Sequence, residues 1–163
     1  MNSRIFVTVV LITCLLVCPL VYAGGVVNGT ISLKLTDNQV VPAAWVRILL
    51  VQSPVTIPVL PGPEKMNPYQ RMETIRDLHM KFFIAVRQTM SDPEFVIQSA
   101  LTTPEGLFQF PGVLPGDYHL IVTFPAMVND RKVAWQIPVT VMDDQSTQVE
   151  LSDKNLLMPT YSR

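Results

Sequence analysis

The chain has 163 residues, 48% of them hydrophobic, with 12 Lys and Arg against 13 Asp and Glu and a net charge of -1. That length favours one domain over two, and the near-neutral balance gives no basic field to hold phosphates, so nucleic acid is excluded as a partner. With two Cys and two His, a disulfide framework or a transition-metal centre has little to draw on.

Residues 1–23 read as a signal peptide. Arg4 gives a positive start, Ile5 to Val17 an apolar run, Pro19 a break, and Val21-Tyr22-Ala23 a small-residue cleavage site. An uncleaved anchor is the alternative, because the apolar run extends without charge to Tyr22 and just reaches spanning length. Cleavage after Ala23 leaves Gly24 to Arg163 and removes both Cys14 and Cys18, so the mature chain folds without disulfides. The expected location is secreted or periplasmic, in the cell envelope.

Val26 to Leu35 alternates apolar and polar residues as a strand with one buried face does. Thr36-Asp37-Asn38-Gln39 turns the chain. Ala44 to Gln52 is apolar on both sides except for Arg47, which predicts a strand covered on both faces and an arginine that needs a partner or an exit to water. Five prolines between Pro54 and Pro68 remove amide donors and impose an extended connector. Within it, Pro58-x-x-Pro61 matches a proline-groove ligand in outline only.

Asn67-Pro68 starts a helix that runs to about Met90, with a side-chain cap and a proline in the first turn. Met72, Ile75, Leu78, Phe82, Ala85, Val86 and Met90 recur at steps of three and four, and such a stripe packs on the sheet of its own domain. Asp77 and Lys81 are spaced to pair. Tyr69, Met72, Met80, Phe83 and Met90 add adaptable surface beyond one stripe and are the candidate partner-binding residues. Asp92-Pro93 ends the helix.

Strand patterning then returns over Phe95 to Leu101 and Leu107 to Phe110, with a break at Pro111-Gly112. It continues over Tyr118 to Phe124, Lys132 to Val141 and Thr147 to Leu151. Tyr118, Leu120, Val122 and Phe124 are expected on one face, as are Val133, Trp135, Ile137, Val139 and Val141. Short strands punctuated by Gly and Pro turns indicate a β-sandwich.

Four segments carry a resemblance: Gly25-Val26-Val27-Asn28-Gly29-Thr30-Ile31, Pro42-Ala43-Ala44-Trp45-Val46-Arg47-Ile48, Thr103-Pro104-Glu105-Gly106-Leu107-Phe108-Gln109-Phe110, and the strand from Val113 through Leu114-Pro115-Gly116-Asp117-Tyr118 to Val122. Together they resemble the carboxypeptidase regulatory-like domain, a transthyretin-like β-sandwich. The resemblance covers roughly half of the chain after the leader and is most specific in the G-x-F-x-F and V-x-P-G-x-Y-x-L pieces. It implies a mostly β sandwich over residues 24–163, interrupted at about 53–94 by the proline-rich stretch and the helix, and it brings no catalytic motif.

No hydrolase, metalloprotease or phosphate-loop motif is present, and neither His79 nor His119 can be tied to a nucleophile. His79 is expected at an interface or in solvent, and His119 on the strand face opposite Tyr118. Asp143-Asp144 reads as a solvated turn, and Asn28-Gly29-Thr30 fits a glycosylation acceptor. Trp45, Trp135 and Tyr118 are the candidates for a sugar-binding aromatic platform, although strand aromatics with apolar neighbours more often build the core. The expectation is a non-enzymatic accessory module that needs no cofactor or metal and binds another envelope or secreted protein through the inserted helix. A carbohydrate-binding module is the alternative, and membrane association is expected only if the leader stays uncut.

Overall fold

A computed structural model describes residues 24–35, 38–57 and 66–162. The expected leader and the Pro58–Pro61 motif lie outside the described residues. Strands β1 (Gly25–Lys34), β2 (Val40–Pro42) and β3 (Arg47–Val51) precede helix α1 (Pro68–Thr89). After it come β4 (Val96–Leu101), β5 (Leu107–Val113), β6 (Gly116–Val122), β7 (Met127–Val128), β8 (Arg131–Lys132), β9 (Trp135–Val141), β10 (Ser146–Leu151) and β11 (Tyr161–Ser162).

Two sheets face each other. In the first, β1 pairs with β10 in parallel on one side and with β5 and β2 antiparallel on the other. The second is antiparallel in the order β4-β3-β6-β9. β4 lies beside β5 and β9 beside β10, so the sandwich is closed along both sides. Its interior holds Val27, Ile31, Ile48, Leu50, Phe110 and Trp135, every one of them at most 1% exposed. Buried side chains from both sheets line this space, as the pleat requires.

The helix covers the outer face of the second sheet and makes a third layer. The sequence at its start explains the boundary: Asn67 accepts from the Gln70 amide at 2.8 Å, Gln70 returns the bond to the Asn67 amide, and Pro68 occupies the first turn. Lys81 and Asp77 pair at 2.7 Å on its exposed side. Ile75, Leu78, Phe82 and Val86 turn inward, and the last three meet Leu49, Val51 and Ile121 from β3 and β6. Alternation along β3 therefore serves two cores: Ile48 and Leu50 point into the sandwich, and Leu49 and Val51 point at the helix. This is why Ala44 to Gln52 reads as apolar on both sides.

The C-terminal segment ties the helix down. Met158 joins the helix core, the Leu157 amide donates to the Ala134 carbonyl at 2.9 Å, and β11 pairs with β8 in a small sheet with β7. His79 is only 3% exposed, donates from Nε2 to the Pro159 carbonyl at 2.9 Å and meets the Tyr161 ring edge-on, so it is a buried packing residue and not a solvent one.

Three strand expectations change. β5 runs through Pro111 and Gly112 to Val113, because a strand that pairs on one side only tolerates the missing amide, and Gln98 Nε2 donates to the Pro111 carbonyl. The segment Lys132 to Val141 is split into β8 and β9. Phe124 leaves the Tyr118 face, because β6 ends at Val122, and its ring lies edge-on against Phe83 of the helix.

Candidate functional site

The helix does not cover the whole outer face of its sheet. Past Phe82 and Val86 a groove of ≈ 760 Å³ opens between the C-terminal half of α1, the start of β3 and the turn after β6. Val86, Leu49 and Ile121 reach it from the helix core, and Trp45, Phe83, Met90, Leu101 and Met127 form its apolar walls. A volume of this size lies within the range of ligand clefts. Trp45, Met90, Leu101 and Met127 are exposed large apolar residues, so the groove carries a cluster of them and not a scatter.

Trp45 is 68% exposed and sits at φ +59°. A non-glycine residue in the left-handed region costs on the order of 1–3 kcal/mol, and it persists only where neighbours hold it. The hold comes from Thr102, whose fully buried hydroxyl accepts from the Val46 amide at 2.9 Å and donates to the Ala43 carbonyl. Both sides of Trp45 are thereby fixed to the end of β4, and the indole stays at the groove rim.

Arg47 and Arg87 also line the groove. Arg47 takes the exit to water that its sequence context demands, at the first position of β3. Arg87 lies over the Phe83 ring at 5.9 Å, and among the described residues neither guanidinium has a carboxylate partner. Thr123 lines the same space with a buried Oγ1 that has no hydrogen-bond partner.

A smaller groove of ≈ 480 Å³ continues toward the start of the helix, lined by Met72, Arg76, Lys132 and Tyr161, and Phe124 belongs to both. Lys132 is buried, with its ammonium 4.7 Å from the centre of the Phe124 ring. Met72, Arg76, Phe83, Arg87 and Met90 follow one flank of α1, at spacings of three, four and seven that keep them in line.

The sequence candidates are divided by this geometry. Phe83 and Met90 line the larger groove and Met72 the smaller one, whereas Tyr69 and Met80 are exposed but line neither. The Tyr69 hydroxyl donates to Glu73 at 3.0 Å, a bond that pushes its pKa up. The three aromatic candidates do not share a face. Trp135 is fully buried and donates to the Ser152 carbonyl at 2.9 Å, and Tyr118 is buried and donates to the Leu114 carbonyl, so neither presents a ring to a sugar. Trp45 alone is exposed, and it stands with the helix candidates Phe83 and Met90. Arg47, Arg87, Leu101, Thr123, Phe124 and Met127 were not singled out as binding residues by pattern. Arg47 is the one with a sequence signal, as a lone charge in an apolar strand.

Neither His79 nor His119 lines the larger or the smaller groove. Burial pushes the His79 pKa down, Lys132 pushes the same way, and the Pro159 hydrogen bond opposes them. His119 lies on the outer face of β6 with Nδ1 buried and without a partner. Among the described residues no three of His, Cys, Asp and Glu gather where they could hold a metal ion, and no helix is long and apolar enough to cross a membrane.

No family model matches the chain, and neither does any curated protein. Solved structures similar in fold include a candidate carbohydrate-binding protein of Pseudomonas aeruginosa, 14% identical over 80% of this chain and 89% of that one, with a TM-score of 0.47. A minor pilin of Streptococcus agalactiae is 13% identical over 87% of this chain, at a TM-score of 0.47, and the pilus backbone protein of Streptococcus pneumoniae is 11% identical over 78%, at 0.37. The chain spans 49% and 41% of the two pilus proteins. Likeness of this degree says nothing about ligands or partners, and the functional reading rests on the groove itself.

Proposed function

We propose that this protein is a non-catalytic accessory module of the cell envelope or extracellular space, built on a carboxypeptidase regulatory-like sandwich, and that it binds another protein through the groove beside α1. One observation carries the reading. An exposed tryptophan in a costly backbone conformation, pinned by a buried threonine, stands with Phe83, Met90 and Leu101 around an apolar cleft. Large exposed apolar residues gathered around a rigid aromatic anchor are what protein interfaces use at their centres. The groove offers apolar surface and guanidinium groups whose N–H donors can bind and orient a partner.

The inserted helix participates as one wall of the site and not as a free recognition helix. Its stripe is committed to the sheet, so deleting it would expose Leu49, Val51 and Ile121 and disrupt the fold as well as the site. The test is therefore made in place. A photo-crosslinking amino acid is put at Trp45 or Met90 in the full chain, in its native envelope, with Gln148 of β10 as an exposed control. Discrete protein adducts from both groove positions and none from the control are expected. Adducts of equal pattern from all three positions would overturn the reading, and adducts made only of polysaccharide would replace it with the carbohydrate-binding alternative.

A further inference from the structure

Resting on the protein-binding reading above, we infer that the groove takes an extended peptide segment of its partner in which acidic side chains accompany large apolar ones. The chain as a whole carries a net charge of -1, yet Arg47 and Arg87 line the larger compartment and Arg76 the smaller, and among the described residues neither compartment is lined by any Asp or Glu. Arg76 and Arg87 follow one flank of α1, Arg47 joins Arg87 at the larger compartment from the start of β3, and together they form a strip of positive potential beside apolar walls. Complementary charge along such a strip sets register and orientation.

Length and shape say which acidic apolar ligand fits. From Met72 to Met90 the helix flank extends about 27 Å at the ordinary helical rise, which is roughly eight residues of extended chain. The cations stand at both ends of that length, with the Phe83 and Phe124 rings, 5.2 Å apart, between them. An acyl anion has one charged head and asks for cations at one end of a blind apolar channel. A peptide strand supplies charges at several points, and its alternating side chains can reach the two compartments on either side of the aromatic pair.

Charge distribution and length thus converge on peptide.

The test uses the full chain, purified as the cell produces it, to select from a random dodecapeptide display library, beside the charge-reversed variant Arg47→Glu/Arg87→Glu. Both arginines are exposed, and unchanged thermal unfolding of the variant verifies its fold. Selected peptides should combine Asp or Glu with Leu, Phe or Trp, bind the variant at least about tenfold more weakly, as expected when two charge pairs become repulsive, and be released by salt. A Trp45→Gly variant should weaken the same peptides. Apolar peptides that depend on Trp45 but show no acidic preference would overturn the acidic assignment and leave the protein-binding reading standing. No peptide dependent on Trp45, or displacement of every peptide by lower concentrations of dodecanoate, would overturn both, the latter in favour of an acyl anion.

Discussion

The two faces of the β4-β3-β6-β9 sheet are both apolar, yet they are treated differently. The inner face meets a second sheet across its whole breadth and is sealed, with Trp135 at its heart and its indole N–H satisfied by Ser152. The outer face is wider than the single helix laid on it. What α1 leaves uncovered becomes the groove, walled by the chain before β3 and by the turn after β6, so the site arises where the third layer runs out. A sheet covered by a sheet yields a core, and a sheet covered by one helix yields a core with a margin.

That contrast can be broken at several points. The largest effect belongs to the sealed side: Trp135→Ala should cost about 3–5 kcal/mol, the range for removing a fully buried aromatic, and unfold the sandwich and the helix in one transition on chemical denaturation. Loss of the helix signal alone would show that the interior is not the common support. Phe82→Ala, fully buried on the helix side, should cost about 3 kcal/mol, the low end of that range because a helix can settle over the gap. Hydrogen exchange should then speed up in α1 first, with the β1 and β6 amides still protected.

Thr102→Val should cost about 1–3 kcal/mol by leaving the Val46 amide and the Ala43 carbonyl without their shared partner. Because the same hydroxyl fixes Trp45, crosslinking from position 45 should fall even at temperatures where the variant is fully folded. Unaltered crosslinking would show that the indole is held by something else.

The smallest effect is the acid response of the helix layer. The folded His79 pKa lies below its unfolded value, so the unfolded chain binds the proton more readily, and the stability due to neutral His79 is complete above about pH 6.5 and is lost as pH falls through the folded pKa. His79→Gln can keep a donor for Pro159 without titrating, so its melting temperature should fall less than that of the parent between about pH 6.5 and 5. Parallel pH curves would remove His79 from the account.

The sandwich was legible in the sequence because its strands carry period-two alternation and its turns carry Gly and Pro. Gly106 takes φ +78° where the Glu105-Gly106 hairpin needs it, and Phe108 and Phe110 are buried together as their spacing requires. The helix was equally legible, since cap, first-turn proline and stripe all agree. The site was legible only in fragments. Phe83 and Met90 stood out on the helix and Trp45 among the aromatics, but as members of different hypotheses, and nothing in the local pattern said that they meet.

By itself the sequence determined the helix and its N-terminal boundary, the longer strands and the two-sided burial of β3, because these follow from residue spacing and from backbone groups satisfied within a few positions; the short strands β2, β7 and β11 and the break between β8 and β9 came from tertiary pairing. Only the tertiary structure decided which faces were left open. Trp45 and Trp135 are the same residue in similar apolar surroundings, yet one is pinned at a groove rim by a threonine 57 positions later in the chain and the other is sealed between two sheets. Exposure is a property of what packs across from a residue, and that partner lies far away in sequence.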